Sequence, residues 1–519
     1  MTAALALSSV ERPYGQGLQC FEHIVDFLDS RQGSSMTISQ LERELEKRGR
    51  ELMRILLQEH LDSRGPGQCQ TPVWGADGTE RSRVRLQTRK IETVFGTVAA
   101  SRVGYGQEGV ESLHPLDAEL NLPDERYSLE LRHRVAEEAA KNSFDETLKT
   151  IGKTTGAHVP KRQIEELANR AAQDFDAFYK MRQCTPEGDQ TTGPVLVITA
   201  DGKGVVLHEK DLKEQTRKAA AKRKQKMGKR LSKGDKKNAK RMATVAAVYT
   251  TDTFVRTAED LVADDCFTID KAKRPRPEQK RVWASIEKTP EQVIAEAFDE
   301  ACHRDPNRKK QWVALVDGNN AQIRILRRIA KEKGIDLTII VDIIHVIEYL
   351  WDAGRAFHPE SGPELENWVR HRLLGVLHGK AGLMAGGMRR SATRKQLTAE
   401  ARKPVDTCAT YLLNKSPYLC YDRYLCQGFP IGTGVIEGAC RHLVKDRMEV
   451  TGAKWRLEGA EAVLRLRALR SSNDFDEYWD FHESCEYKRN HQDLYANGVV
   501  PVTSSSYPSS RRDHLKVFK

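Results

Sequence analysis

Apolar positions recur at helical spacing over residues 18–62, LQCFEHIVDFLDS through ISQLERELEKRGRELMRILLQEHLDS, which predicts helices there. After a Gly/Pro/Gln break, residues 83–106 change to near-alternation around Phe95-Gly96, the pattern of a strand pair. Three helices are then expected in quick succession. The first lies near Leu129–Ala140. The second opens at Ser143 with Glu146 three residues on, a capping-box pattern. The third follows Gly156-Ala-His-Val-Pro160, a turn whose proline suits a first helical turn. These patterns divide the first part of the chain into a helical region (1–82), a small β-containing module (83–126) and a helix-turn-helix-like unit (127–190). In that unit Lys161 and Arg162 open the second helix of the pair, where they would meet DNA. Ordinary three-helix packing is the plainer alternative.

From Gly193 the pattern becomes α/β. PVLVITADGKG reads as a buried strand, MATVAAVYTTDTFVRT as two more in hairpin order, QWVALVDGNN and DLTIIVDIIH as two further strands, with helices between the last three. That order predicts a mixed five-stranded sheet with helices on its faces. The expected parts are a core (191–349) carrying a basic insertion (209–241), a helical insertion (350–429), the rest of the core (430–470) and a C-terminal tail (471–519), polar beyond about residue 486. The basic insertion, with Arg223 and Lys224, is dense in Lys and Arg and nearly free of apolar residues. It suits phosphate contact or a solvated arm.

Charge adds to this picture. Among 519 residues Lys and Arg exceed Asp and Glu by 11, an excess that fits a polyanionic partner. No apolar run approaches the roughly 20 residues of a membrane span, and the start reads as no signal peptide. The ten cysteines are scattered without a CxxC pair, which argues against structural zinc and against a disulfide scaffold. A cytoplasmic, nucleoid-associated protein is expected.

Three acids stand out. Asp201 and Asp317 each end an apolar run in Asp-Gly, where a strand terminus would expose the carboxylate. Glu437 follows Gly432-Thr-Gly434 at the start of a helix. Several oxygen ligands at one sheet edge are what a pair of Mg²⁺ ions needs for phosphodiester chemistry. Asp342 also ends a strand, and with Glu348 competes with Glu437 for the third place. Arg441 and Lys445, at i+4 and i+8 from Glu437, would share its face on an α-helix. With Lys203, Arg447 and Trp455 they are the candidate DNA contacts; Trp455 and Trp351 offer stacking surfaces for an unpaired base. His345 would position a phosphate or order Asp342.

The blocks TADGKG, LVDGNN, VDIIHVIEYLW and GFPIGTGVIEGACRHLVKDRMEVTGAKWR resemble those of bacterial insertion-sequence transposases of the DDE type, the Kra-type family, with more distant similarity to the Mutator-like group. The resemblance spans roughly residues 85–470. It implies an RNase H-like core with a helical insertion, Asp201, Asp317 and Glu437 as the acidic triad on two Mg²⁺ (or Mn²⁺) ions, and Asp342 and His345 as a D-x-x-H signature. It also implies double-stranded DNA as partner, both terminal inverted repeats and target, and a homo-oligomer in the synaptic complex. The alternatives are a structure-selective nuclease of the same fold without strand transfer, and a DNA-binding protein without catalysis.

Overall fold

The computed structural model describes residues 14–184, 192–221, 239–262, 274–360 and 362–504. The proposed phosphate contacts Arg223 and Lys224 lie outside the described residues. No helix among the described residues is long and apolar enough to cross a membrane. The chain forms two compact units, one from 1–174 with 476–519, the other from 175–475.

In the first unit, strand β1 (Gln68–Cys69) pairs with a C-terminal partner. Strands β2 (Arg83–Thr93), β3 (Gly96–Gln107) and β4 (Val110–Leu113) form an antiparallel sheet, with Thr93 opposite Gly96 closing the β2–β3 turn. The helix Ile38–Arg64 packs along β3. Ser128 and Ser143 cap the helices Leu129–Lys141 and Phe144–Thr154, accepting from Leu131 N and Glu146 N. Pro160 is the cap residue of Lys161–Ala171, one place earlier than its sequence suggested. The turn between these last two helices is filled by the β2–β3 hairpin tip. Gly156 N–H donates to Val94 O at 2.8 Å, and a Cβ on Gly156 would stand 2.3 Å from Phe95 O, so only glycine fits.

The segment assigned to the C-terminal tail contributes a helix and a strand to this unit. Residues Phe475–Asn490 form a helix, and its Tyr478, His482 and Glu486 are buried. Further on, Thr503–Ser504 pairs antiparallel with β1.

The second unit is built on a mixed five-stranded sheet. Its strands are β5 (Val195–Val206), β6 (Lys240–Thr251), β7 (Glu278–Ser285), β8 (Gln311–Val316) and β9 (Leu337–Val341), in spatial order β7-β6-β5-β8-β9. The first three pair antiparallel; β8 and β9 run parallel to β5. Helices Pro290–Arg304 and Asn320–Glu332 make the crossovers, the first opened by a Thr289/Gln292 capping box.

Two strand expectations are corrected. TDTFVRT is not the third strand; Phe254 N–H bonds Gly428 O at 2.9 Å and Arg256 N–H bonds Leu425 O at 3.3 Å, so this backbone is committed elsewhere and EQKRVWAS takes the edge. Asp201 does not close its strand, because β5 pairs with β6 from Val195 to Val206 and Asp201 sits opposite Val245. What ends near Asp201 is the pairing with β8, whose last partner on β5 is Thr199.

After β9 the chain is helical: Ile343–Arg355, Pro363–Leu377, Ala381–Arg394, Ala399–Lys415 and Tyr421–Cys426. The helix Leu457–Ser472 then lies along β7, where Ser472 Oγ accepts from Val282 N at 3.0 Å and Glu461 from Ile286 N at 2.8 Å.

Candidate functional site

The register of the sheet brings the acids to one level. β5 and β8 are aligned from Val195 opposite Gln311 to Thr199 opposite Leu315, and β8 and β9 from Trp312 opposite Leu337 to Val316 opposite Val341. Continued past their last pairs, these offsets set Asp201, Asp317 and Asp342 side by side on three neighbouring chains, with adjacent strands about 4.8 Å apart.

Each acid is held differently. Asp201 accepts from Gly202 N at 2.6 Å and from the buried Cys440 thiol at 3.2 Å. Asp317 accepts from Asn319 N at 2.7 Å, while the Tyr411 hydroxyl donates to its backbone carbonyl at 3.1 Å. The next residue, Gly318, has φ +90°, and a Cβ there would meet Tyr411 Oη at 2.8 Å. Lys415, nearly buried, donates to Asn320 Oδ1. Two side chains of the helix Ala399–Lys415 therefore clamp the turn that carries Asp317.

Asp342 is fully buried and saturated. Its carboxylate accepts from Ile344 N (3.0 Å), His345 Nδ1 (3.2 Å), Thr433 N (3.3 Å) and the Thr433 hydroxyl. Together with the bond from Ile343 N to Ile431 O at 3.0 Å, this fastens the end of β9 to the loop that launches Glu437. Both carboxylate oxygens are engaged and out of solvent, so Asp342 latches the end of β9 to that loop. His345 is different. Its hydrogen bond to Asp342 raises it to about 9, with Glu348 and Asp317 adding to the effect, so the ring is cationic at neutral pH.

Glu437 is exposed on the short helix Gly434–Ala439, which packs on β5 and β6. Burial raises its carboxyl above the ordinary range; Asp342, Glu348 and Asp201 raise it too, and His345 opposes them. The three neighbouring acids add negative potential that His345 offsets only in part. Hard oxygen donors in such a field suit divalent cations.

From Cys440 to Lys445 the chain continues as a π-helix. Arg441 and Lys445 remain exposed, and Arg441 lies 3.6 Å from Asp446. Arg447 and Trp455 are corrected as DNA contacts, because both are buried. The Arg447 guanidinium lies 4.8 Å from the centre of the indole, whose Nε1 donates to Met448 O at 3.1 Å. Lys203 is partly exposed near Cys440, whose thiol it draws downward against burial. In the first unit, Lys161 pairs with Asp145 at 2.8 Å and Arg162 with Glu166 at 3.0 Å, and both remain exposed.

Thr433, Cys440, Tyr411 and Lys415 escaped the sequence reading. Thr433 lay inside the GTG turn already singled out. No local pattern marks the other three.

Among the described residues, one group of three acid, His or Cys side chains has ligand atoms all within 4.8 Å: Asp174, His482 and Glu486. Its spacing would admit one ion, but guanidinium groups occupy it. Arg132 binds Glu486 at 2.6 Å and approaches His482 Nε2 at 3.0 Å, Arg489 binds Asp174 at 2.8 Å, and His482 Nδ1 faces Asp174 at 2.7 Å. Asp201, Asp317 and Glu437 do not meet that single-ion spacing. A two-ion site does not require it, because its outer carboxylates bind different ions held roughly 4 Å apart.

No family model matches this chain, and no curated protein matches it. Among solved structures it is similar to the Drosophila P element transposase strand transfer complex, with 9% identity and a TM-score of 0.23, over 70% of this chain and 83% of that one. A superposition that loose assigns no residue correspondence.

Proposed function

We propose that the protein is a DNA transposase of the DDE type, whose second unit is an RNase H-like core that cuts and joins phosphodiester bonds. One observation carries this reading: the strand register that sets Asp201 level with Asp317, beneath the helix that bears Glu437. The block resemblance and the basic charge excess support it. Asp201, Asp317 and Glu437 would hold two Mg²⁺ ions, with Mn²⁺ as a substitute. Bound there, the ions would activate the attacking oxygen and stabilise the leaving one.

The protein's own groups do the positioning. Cys440 orients the Asp201 carboxylate, and Tyr411 with Lys415 fixes the Asp317 turn. The Asp342 latch holds the Glu437 helix at the sheet end, while cationic His345 attracts a phosphate. Partners in this reading are terminal inverted repeats and target DNA, with a homo-oligomer pairing two ends. Lys161, Arg162, Lys203, Arg441 and Lys445 supply phosphate contacts.

The test is strand cleavage and joining on an end-containing duplex with Mg²⁺. Asp201→Ala and Asp317→Ala should each abolish both steps while duplex binding persists. Retained cleavage by either variant would overturn the assignment. Cleavage without joining would identify a nuclease instead.

A further inference from the structure

In the second unit a groove of about 470 Å³ lies between the Glu437 helix and the edge strand β7. Alternation along β7 decides which side chains reach it. Arg281 and Trp283 turn to the helix Pro290–Arg304, where they bond Glu300 at 2.5 Å and Glu296 at 3.2 Å. Lys280 and Val282 therefore face the other side of the sheet, and both line the groove. Arg276, just before the strand, lines it too, and the helix side contributes Gly434, Gly438 and His442.

The charge of this lining is one-sided. Arg276 and Lys280 are exposed and enter no ion pair among the described residues, and the described lining holds no Asp or Glu. Other exposed cations of the unit are paired, as Arg328 is with Glu291 at 2.5 Å and Arg355 with Asp352 at 2.8 Å. The floor between the two cations and the helix is open: a Cβ on Gly434 or Gly438 would meet nothing within 4 Å. Glycine weakens a helix relative to alanine, and no contact asks for it here. A ligand can thus come close to the helix backbone. No Phe, Tyr or Trp lines the groove, so it offers an unpaired base no stacking surface and suits a phosphate backbone instead.

The acids are near. Glu437 precedes Gly438 by one residue, so its carboxylate stands about 100° round the same helix and does not line the groove. A helix is about 10–12 Å across with its side chains, and each DNA strand carries a phosphate about every 3.4 Å of duplex axis. A strand lying at the acids reaches the groove within about three nucleotides.

We infer that this groove holds the phosphate backbone of duplex DNA a few nucleotides from the bond at the acids, with Arg276, Lys280 and His442 as sequence-independent contacts. The identity of the ligand rests on the proposed transposase function; the path of one strand across the second unit goes beyond it.

The test measures binding of the full chain to a fluorescein-labelled duplex by anisotropy, in EDTA, over a series of salt concentrations. Arg276→Gln with Lys280→Gln should weaken binding about tenfold and lower the slope of log K against log salt by about 2, equally on end-containing and scrambled duplexes. Gly438→Leu keeps every charge and fills the floor without meeting a protein atom at Cβ. It should weaken binding at least threefold, with thermal unfolding like that of the parent. Asp201→Ala should bind as the parent does, which lets the two proposals fail separately. Parent-like binding by the groove variants, with cutting lost in Asp201→Ala under Mg²⁺, would sink the groove alone. Weakened groove variants, with cutting retained by Asp201→Ala, would sink the acid assignment alone. The groove is also overturned if Gly438→Leu binds as tightly as the parent, or if the weakening is confined to one duplex sequence.

Discussion

Replacing Asp342 by asparagine keeps the shape of the latch and removes its charge. The amide oxygen of the Asp342→Asn variant can still accept from Ile344 N and Thr433 N, but its NH₂ group then faces the Thr433 hydroxyl and His345, so two hydrogen bonds to a charged acceptor are lost. At roughly 1.5–3 kcal/mol each in a buried setting, partly recovered by rotation of the hydroxyl, the loss should be about 3–4 kcal/mol. Part of it titrates. The rise of His345 from 6.5 to about 9 corresponds at face value to roughly 3 kcal/mol; for a ring 36% exposed, water screening leaves about 1–2. The folded His345 value lies above its unfolded one, so this share is fully present below pH 6.5 and disappears as pH rises through about 9. Asp342 is shifted downward, so its own share is present above about 3.8 and fades only in stronger acid. Urea unfolding of parent and variant in EDTA should therefore differ by about 3–4 kcal/mol at pH 6 and by about 2 at pH 10. A difference under about 1 kcal/mol at pH 6, or one unchanged at pH 10, would refute the latch.

Other consequences can be read with the same tools. Glu300, buried between Arg281 (2.5 Å) and Arg304 (2.7 Å), is held at about 2, below its unfolded value. Glu300→Gln should cost about 2–3 kcal/mol at pH 7, a gap that closes in acid unfolding as pH falls from 4.5 through about 2. Trp455→Ala should cost about 3–5 kcal/mol in thermal unfolding and leave duplex affinity unchanged below the transition, because its indole is packed inside. Lys415→Met should lower strand cleavage at least tenfold for about 1–2 kcal/mol of stability, since it frees the Asp317 turn and orphans only Asn320 Oδ1. Parent-like cleavage by that variant would remove the clamp from the mechanism.

What the sequence disclosed was what periodicity encodes. The runs VLVITA, WVALV and DLTIIV are apolar because those strands are covered on both faces, and that made three strands and two acids legible. The third strand was misplaced because TDTFVRT is as strand-like as EQKRVWAS. Only the long-range bonds of Phe254 and Arg256 to 425–428 decide between them. Nothing in CRHLVK announces the π stretch from Cys440 to Lys445.

The deeper failure concerns buried charge. FDEYWDFHESCEYKRN falls in the segment set apart as a C-terminal tail, yet His482 and Glu486 are sealed inside because Arg132, itself fully buried and 350 residues from His482, supplies the donors. Asp342 is held the same way: the hydroxyl that engages it comes from Thr433, 91 residues away. Hydropathy scores a residue by its cost of leaving water, whereas burial of a charge depends on whether a partner cancels that cost. Such a partner is set by the fold and leaves no local trace. Sequence therefore shows where carboxylates gather at a sheet edge, and only tertiary structure separates those already engaged by the protein from those still open to a cation.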